Sequence, residues 1–209
     1  MITYLGYNVL EDEPRQGGPR PDDVQQRFEL LDDGGGARAL SVFEDYPDLV
    51  RPLRWHLHGE GEIAAFRAFV DGQKGRLIPF WIPAYEYDFT VLDPITTFVN
   101  TIRVNDVGYA SHVFPLGPTR RHLYFSNRAT ISNFIRKAVA AVPNGDGSET
   151  ITLDSNPSAG IATSVALVTY LRLVRLADDV LKIHWRSGGS TAYAFVDMDL
   201  AEVPMEVPA

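Results

Sequence analysis

Residues 51–83 constrain the fold most, because their hydrophobic period changes twice within a short stretch. Apolar and polar residues alternate over 53–57, which is typical of a strand with one buried face. Apolar residues then recur at helical spacing over 63–70 and predict a helix over about residues 62–73. A second strand is predicted over residues 77–82. Because so short a helix is marginal alone in water, we expect it to pack on a sheet.

Composition and charge exclude several function classes. Of 209 residues, 45% are hydrophobic and 22% charged, which is ordinary for a soluble globular protein. No apolar run reaches the roughly 18 residues of a membrane span, and the first residues lack a signal-peptide pattern. The absence of cysteine excludes disulfides and thiol chemistry. The net charge of −8 argues against specific nucleic-acid binding as the main role. We therefore expect a soluble protein without a membrane span.

The N-terminal third predicts a loop followed by a β-hairpin. Residues 11–23 are polar and rich in proline and glycine, as in an exposed loop. Residues 24–31 and 38–44 are β-prone and flank a tight turn. The turn contains Gly34, Gly35 and Gly36, which supply the positive φ angles that a reversal needs.

The middle of the chain is predicted to be rich in short strands. We expect strands over residues 97–104, 109–114 and 122–125. Residues 131–142 are ambiguous, since an apolar stripe at helical spacing coincides with many β-branched residues. The sequence therefore leaves helix and strand open for this segment.

The C-terminal part predicts closing strands. Residues 165–176 are almost continuously apolar, and residues 180–185 are expected to pair with 191–200 across a glycine-rich turn. The predicted fold class is mainly β: an antiparallel β-sandwich with one short helix packed on it and a smaller β-rich insertion. The expected division places the sandwich in residues 1–95, the insertion or second domain in 96–163, closing strands in 164–200 and an extended tail in 201–209.

Aromatic residues occupy alternate positions after the central helix. If this segment is extended, one of its faces carries Trp81, Tyr85, Tyr87 and Phe89. The rings could form a platform for a sugar or a protein partner. The alternative, which we favour, is that they fill a core or a subunit interface, because aromatic side chains bury large areas.

Only weak metal-binding patterns occur. His56, His58 and Glu62 match part of the first cupin motif, in which a β-barrel gathers ligands around an ion. The remaining motif positions do not match: Arg120, for example, stands where the second motif needs a histidine. We therefore interpret both histidines as residues of a polar strand face.

No sequence motif indicates catalysis or a cofactor. Asn144, Asp146 and Ser148 are spaced like the first ligands of a calcium loop, but Ser155 replaces the glutamate at the twelfth position. The chain has no nucleophile elbow, phosphate-binding loop or dinucleotide fingerprint. We predict no catalytic, metal or cofactor-binding residues.

Two blocks resemble the distal tail proteins of long-tailed bacteriophages and gene transfer agents. The first, residues 65–89, reads AFRAFVDGQKGRLIPFWIPAYEYDF, a helix closing with a Gly-Arg step before an aromatic strand. The second, residues 170–185, reads YLRLVRLADDVLKIHW and is similar to the closing segment of the family, Val/Leu-Arg-Leu/Phe-x-x-Asp. Residues 148–160 resemble the strand and turn before that segment, whereas 96–148 have no clear counterpart.

The resemblance implies a non-enzymatic structural protein. Such a protein forms a ring, usually of six copies, at the far end of the tail tube, and links the tube to the hub and receptor-binding proteins. It would be made in the bacterial cytoplasm, would reside in the virion, and could also meet the tape measure protein. Candidate interface residues are Trp81, Tyr85, Tyr87, Gly34, Gly35 and Gly36, together with the loop over residues 11–23. The alternatives are another minor tail protein, a carbohydrate-binding β-sandwich using Trp81, Tyr85 and Tyr87, and a cupin-like metalloprotein.

Overall fold

The computed structural model describes residues 2–14, 23–25, 28–32, 38–42, 48–186 and 192–208. Over these residues the protein is mainly β, which confirms the predicted fold class. In chain order the strands are β1 Ile2–Tyr4, β2 Tyr7–Val9, β3 Asp23–Gln25, β4 Phe28–Asp32, β5 Arg38–Val42, β6 Asp48–His58, β7 Phe80–Pro83, β8 Thr101–Asn105, β9 His122–Asn127, β10 Ser132–Pro143, β11 Ser148–Leu153, β12 Ala166–Leu176, β13 Lys182–Arg186 and β14 Tyr193–Glu202. The long helix, α1, spans Gly59–Gln73, and the short helical turns are Tyr109–Val113, Phe114–Leu116, Pro118–Arg120, Thr163–Val165 and Pro204–Glu206.

The chain folds into two compact units. The first unit comprises Met1–Glu11, Trp81–Arg172 and Val207–Ala209, and the second comprises Asp12–Phe80 and Leu173–Glu206. The predicted insertion, residues 96–163, lies within the first unit together with residues 81–95. The two-layer packing of a sandwich stays a prediction.

The first unit is a sheet in the strand order β1-β2-β7-β12-β9-β10-β11-β8. β1–β2, β12–β9, β9–β10, β10–β11 and β11–β8 are antiparallel pairs, whereas β2 and β7 run parallel where Val9 meets Trp81. Alternate residues of these strands point to one side and build a core. The core contains Phe89, Val91, Ile95, Ile102, Val104, Tyr109, Leu123, Phe125, Phe134, Ala138, Ile151, Leu153, Ile161 and Val168.

The second unit pairs its strands in the order β3-β6-β14-β13, all antiparallel. Residues 174–176 of β12 add to the far end of β14. The predicted pairing of the last two strands is thus confirmed, with β13 opposite residues 193–197. β4 and β5 form a separate two-stranded sheet. The turn that contains Gly34, Gly35 and Gly36 lies outside the described residues, as does most of the predicted loop over residues 11–23.

Helix α1 packs one apolar stripe on the second unit's sheet. Its buried residues include Ile63, Phe66 and Phe69. It begins at Gly59, slightly before the predicted start, and the Glu62 carboxylate accepts the backbone N–H of His58 at 2.7 Å. This contact satisfies one of the amide donors that a helix start leaves free.

Helix α1 ends at Gln73, which is the predicted bound. Lys74 is the C-cap and takes the left-handed conformation, with φ 52°. Its backbone N–H donates to the carbonyl of Asp71 at 3.2 Å. Lys74 therefore adopts the left-handed backbone conformation that glycine usually occupies at a helix end and that is strained for other residues.

In the middle region one predicted strand differs from the structure, and one segment that the sequence left open is a strand. Residues 109–114 do not form a strand: Gly108 has φ 74°, and Tyr109–Val113 forms a helical turn. The turn places the Tyr109 ring against Phe89, with centroids 5.1 Å apart. Residues 131–142 were left open between helix and strand. They fall almost entirely in β10, whose first half pairs with β9 and whose second half pairs with β11.

The C-terminal residues also differ from the predicted extended tail. Ala201 and Glu202 continue β14, because Glu202 pairs with Val174 and Ala201 with Arg175. A helical turn, Pro204–Glu206, follows. Arg175 donates to the carboxylate of Glu206 and fixes this turn to β12.

Candidate functional site

The turn after α1 is joined to the turn after β12. The backbone N–H of Arg76 donates to Asp179 Oδ1 at 2.9 Å, and Arg76 Nε lies 3.5 Å from Asp179 Oδ2. Gly75 precedes this contact with φ 66°, and a Cβ at that position would lie 2.6 Å from Asp179 Oδ1. Residue 75 must therefore lack a side chain for Asp179 to approach. We call the three residues the Gly75–Arg76–Asp179 junction.

A groove of about 520 Å³ lies beside this junction, between α1 and β13. Val70, Leu176, Leu181 and Ile183 are among the residues that line it. Arg67, Asp71, Lys74 and Asp179 supply charges of both signs. The groove is thus lined by both apolar and charged side chains.

β13 is an exposed strand at the margin of the second unit. Among the described residues it pairs only with β14. The Trp185 ring is 54% exposed and has the guanidinium carbon of Arg67 5.1 Å from its centroid. A strand that pairs along one edge and carries an exposed aromatic residue offers a sheet edge to which another chain can bind.

The sheet face opposite α1 is polar, and we call it the outer face. Strand alternation and register place its side chains in three cross-strand rows of β6, β14 and β13. The rows are Arg54–Asp197–Lys182, His56–Phe195–His184 and His58–Tyr193–Arg186.

Contacts within these rows fix several of the side chains. Arg54 binds Asp197 through two hydrogen bonds, Nε to Oδ1 at 2.5 Å and an Nη to Oδ2 at 2.9 Å. This guanidinium holds the pKa of the Asp197 carboxyl below its usual value. The His184 ring stacks on Phe195 with centroids 4.5 Å apart. The outer face is therefore an ordered surface in which cations and imidazoles outnumber carboxylates.

The predicted polar face for His56 and His58 agrees with this arrangement. The Tyr193 hydroxyl lies 2.6 Å from His56 Nδ1, and the His58 ring contacts the Tyr193 ring. Glu62 instead binds the backbone at the start of α1. Over the described residues, no three or more histidine, aspartate or glutamate side chains are grouped to hold a metal ion.

The structure separates the aromatic residues that the sequence placed on one face. Trp81, Tyr85 and Phe89 are buried, whereas Tyr87 is 71% exposed. The alternation stops at Tyr85, whose φ of 56° interrupts the extended backbone. The Trp81 indole N–H donates to the carbonyl of Tyr4 at 2.9 Å. Only Tyr87 of the three proposed platform residues is open to solvent, so a flat row of three rings does not face a ligand.

His122 was missed by the sequence analysis and is fully buried next to Trp81. Its Nδ1 lies 2.9 Å from the Tyr4 hydroxyl, and its ring centroid lies 5.0 Å from that of Trp81. Burial, with a smaller effect of Lys137, lowers the pKa of His122 to about 4. Its position at the start of a short strand carried no signal that it would be enclosed.

A second buried titratable group, Glu149, lies beside the helical turn Tyr109–Val113. Its side chain is 0% exposed, and Oε2 accepts the Ala110 N–H at 3.1 Å. Burial, followed by the neighbouring Asp106 carboxyl, raises the pKa of Glu149. Asp106 has its own pKa lowered, chiefly by the hydrogen bond with Glu149. The two carboxyls therefore favour a state in which Glu149 holds the proton.

Replacing Glu149 with glutamine is expected to raise Tm relative to the unchanged protein, and more so as pH rises. A carboxyl whose pKa is raised on folding stabilises the fold below its unfolded pKa and loses that contribution as pH rises through its folded pKa. Glutamine stays neutral and can still accept the Ala110 N–H. Melting curves at about pH 4 and about pH 8 measure the effect.

Asp146→Asn provides a control of opposite sign. Hydrogen bonds from Ser148 and Arg103 lower the pKa of Asp146, so the carboxylate form is favoured in the folded state. The contribution of this carboxylate is present above its unfolded pKa and is lost as pH falls through its lower folded pKa, so Asp146→Asn should reduce Tm at about pH 8 and much less at about pH 2. A change in Tm on Glu149→Gln that is the same at about pH 4 and about pH 8 would contradict the raised pKa of the Glu149 carboxyl.

No described helix has both the length and the apolar character that crossing a bilayer requires. The sequence matches no protein-family model and has no significant match among curated proteins.

Proposed function

We propose that this protein is a structural subunit of a phage or gene-transfer-agent tail tip. In this proposal, copies form a ring at the distal end of the tail tube, and the ring links the tube to the hub and receptor-binding proteins. The protein contributes shape and contact surfaces and carries out no reaction. Its site of action is the virion, after synthesis in the bacterial cytoplasm.

The observation that carries the proposal is the Gly75–Arg76–Asp179 junction. The resemblance to distal tail proteins rests on a Gly-Arg step after a helix and on an aspartate that closes a later strand pattern. These are Gly75-Arg76 and Asp179, which are far apart in sequence but hydrogen-bonded in space. The two blocks of resemblance are therefore parts of one local structure, which supports reading them together.

The exposed margin of the second unit also favours an assembling subunit. A cyclic ring needs a head-to-tail interface, in which two different surfaces of each copy meet. β13, with Trp185 half exposed, and the adjacent groove offer apolar surface at a strand edge. Such edges are commonly completed by another chain.

The net charge is compatible with the proposed position. A chain of net charge −8 repels the DNA that passes through a tail tube. The tail tube, the hub, receptor-binding proteins and the tape measure protein are the proposed partners.

Deleting the gene from a strain that produces the particles tests the proposal. We expect particles with incomplete tail tips and lost infectivity or transfer, restored by the intact gene supplied in trans. An epitope-tagged copy should be seen by immunogold microscopy at the distal end of the tail. Normal tails without this gene, or label confined to the head, would rule the proposal out.

A further inference from the structure

β1 is held to the first unit chiefly through one residue. It is three residues long, stands at the end of the strand order and, among the described residues, pairs with β2 alone. Ile2 and Thr3 are exposed. The remaining hydrogen bonds and ring contacts described for β1 all involve Tyr4. Once Tyr4 is displaced, only the pairing with β2 holds this strand.

β2 is secured independently of β1. Val9 and Leu10 are buried, and the Leu10 N–H donates to the Trp81 carbonyl at 2.8 Å. Leu5 and Gly6 form the turn that joins the two strands, with φ angles of 47° and 88°. Such angles suit asparagine and glycine in a hairpin turn and are strained for leucine. Because opening relieves the strain at Leu5, this turn can act as a hinge for β1.

Tyr4 lies against two buried rings. Its hydroxyl is 2.9 Å from His122 Nδ1, and the Trp81 indole N–H donates to the Tyr4 carbonyl at 2.9 Å. The centroid of the Tyr4 ring is 5.6 Å from that of Trp81 and 5.5 Å from that of His122. Trp81 and His122 are both 0% exposed. Removal of Tyr4 therefore gives water access to both rings.

The closed arrangement favours the neutral form of His122. A neutral imidazole can accept the Tyr4 hydroxyl at Nδ1, whereas both nitrogens of an imidazolium are donors. Nε2 is buried and makes no hydrogen bond of normal geometry among the described residues. Lys137, opposite in the β9–β10 register, disfavours the charged ring, while Asp154 and the Pro208 carbonyl favour it. Burial has the largest effect and lowers the pKa of His122 to about 4.

Water can reach His122 with the smallest loss of structure at β1. β9, which begins with His122, lies between β12 and β10, and β10 lies between β9 and β11. Displacing either of these strands breaks the sheet on two sides, whereas β1 has one neighbouring strand.

We propose that β1 is released by acid: when His122 takes up a proton, Tyr4 leaves the imidazole and residues 2–4 move away about the Leu5–Gly6 hinge. The release uncovers Trp81 while β2 and the rest of the first unit stay folded. This conformational change goes beyond the proposed function and does not depend on it.

Proton linkage sets the size of the effect. In the open form the His122 pKa returns towards the ordinary value of 6.5, whereas in the closed form it is about 4. The open form therefore binds a proton that the closed form refuses as pH falls from 6.5 towards 4. The equilibrium constant for opening should rise about thirtyfold between about pH 7.5 and about pH 5.

Hydrogen exchange of the Trp81 indole N–H, followed by NMR in the full chain, tests the release. This N–H is bonded to Tyr4 and exchanges only when β1 leaves. Its protection, relative to free indole at the same pH, should fall about thirtyfold between about pH 7.5 and about pH 5. Local opening exposes little surface, so about 1 M urea should leave this protection unchanged.

Three substitutions separate the parts of the mechanism. His122→Gln can accept the Tyr4 hydroxyl but does not titrate, so protection should be equal at the two pH values. His184→Gln removes an imidazole of the outer face and should keep the thirtyfold fall. Leu5→Asn suits the left-handed turn and should raise protection about fivefold at both pH values, with the fall between them unchanged.

Circular dichroism at both pH values confirms that each variant is folded. Equal protection of Trp81 at the two pH values in the unchanged protein would overturn the release, and so would a thirtyfold fall that persists in His122→Gln. Protection that drops in about 1 M urea would assign exchange to global unfolding instead. Should His122→Gln not fold, Leu5→Asn decides, because unchanged protection in that variant would show that Trp81 is reached without movement of β1.

Discussion

Replacing Phe66 with alanine is expected to lower the free energy of unfolding by about 3–5 kcal/mol. Phe66 is a residue of α1, is 2% exposed and faces the sheet of the second unit. Its ring centroid lies 5.9 Å from that of Trp55. Truncation removes the transfer free energy of the ring and leaves a cavity that rigid neighbours cannot fill. Urea unfolding followed by circular dichroism gives the free energy.

Ala64→Ser is the matched control for Phe66→Ala. It lies on the same helix but is exposed, so its effect should stay within about 0.5 kcal/mol. The fluorescence of Trp55 should also change in Phe66→Ala and not in the control, because the ring that packs on this indole is lost. A loss below about 1 kcal/mol on Phe66→Ala would mean that α1 does not depend on this contact.

Acidification is expected to destabilise the protein through His122, by on the order of 3 kcal/mol between neutral pH and pH 4. Its pKa falls from the ordinary value of 6.5 to about 4 on folding, chiefly because the ring is buried. The unfolded chain therefore binds a proton below about pH 6.5 that the folded chain does not yet accept. Stability is complete above that pH and declines as pH falls towards 4.

Substitution separates the contribution of His122 from that of the carboxyls. His122→Gln can still accept a hydrogen bond from the Tyr4 hydroxyl, but it does not titrate. The difference in unfolding free energy between about pH 7.5 and about pH 4.5 should be smaller in this variant by about 2–3 kcal/mol. His184→Gln, on the exposed outer face, should keep the pH dependence of the unchanged protein. Equal pH dependence in all three proteins would show that His122 is not enclosed as described.

Local sequence patterns were sufficient to predict the elements that bury the side their own periodicity marks as apolar. The apolar stripe of α1 and the alternation in β6 are properties of short segments, and each segment buries the side that its period predicts. The pairing of β13 with β14 follows from two β-prone segments joined by a short glycine-rich connection. The polar face that carries His56 and His58 follows from the same alternation.

Other elements depend on partners that the local pattern cannot identify. β10 contains an apolar stripe at helical spacing, but pairing of its first half with β9 and of its second half with β11 selects the strand. Tyr109 belongs to a helical turn because Gly108 has a positive φ and the Ala110 N–H donates to the Glu149 carboxyl group. In both cases contacts distant in sequence outweigh a weak local preference.

The candidate site shows the same division between sequence and tertiary structure. The sequence alone determined that Gly75-Arg76 follows a helix, that Asp179 follows a strand, and that the chain is acidic and without cysteine. Tertiary structure decided that Asp179 binds Arg76 and that Trp81 and Tyr85 are buried while Tyr87 is exposed. Periodicity specifies which side of an element is apolar, whereas the packing of distant segments specifies what that side meets.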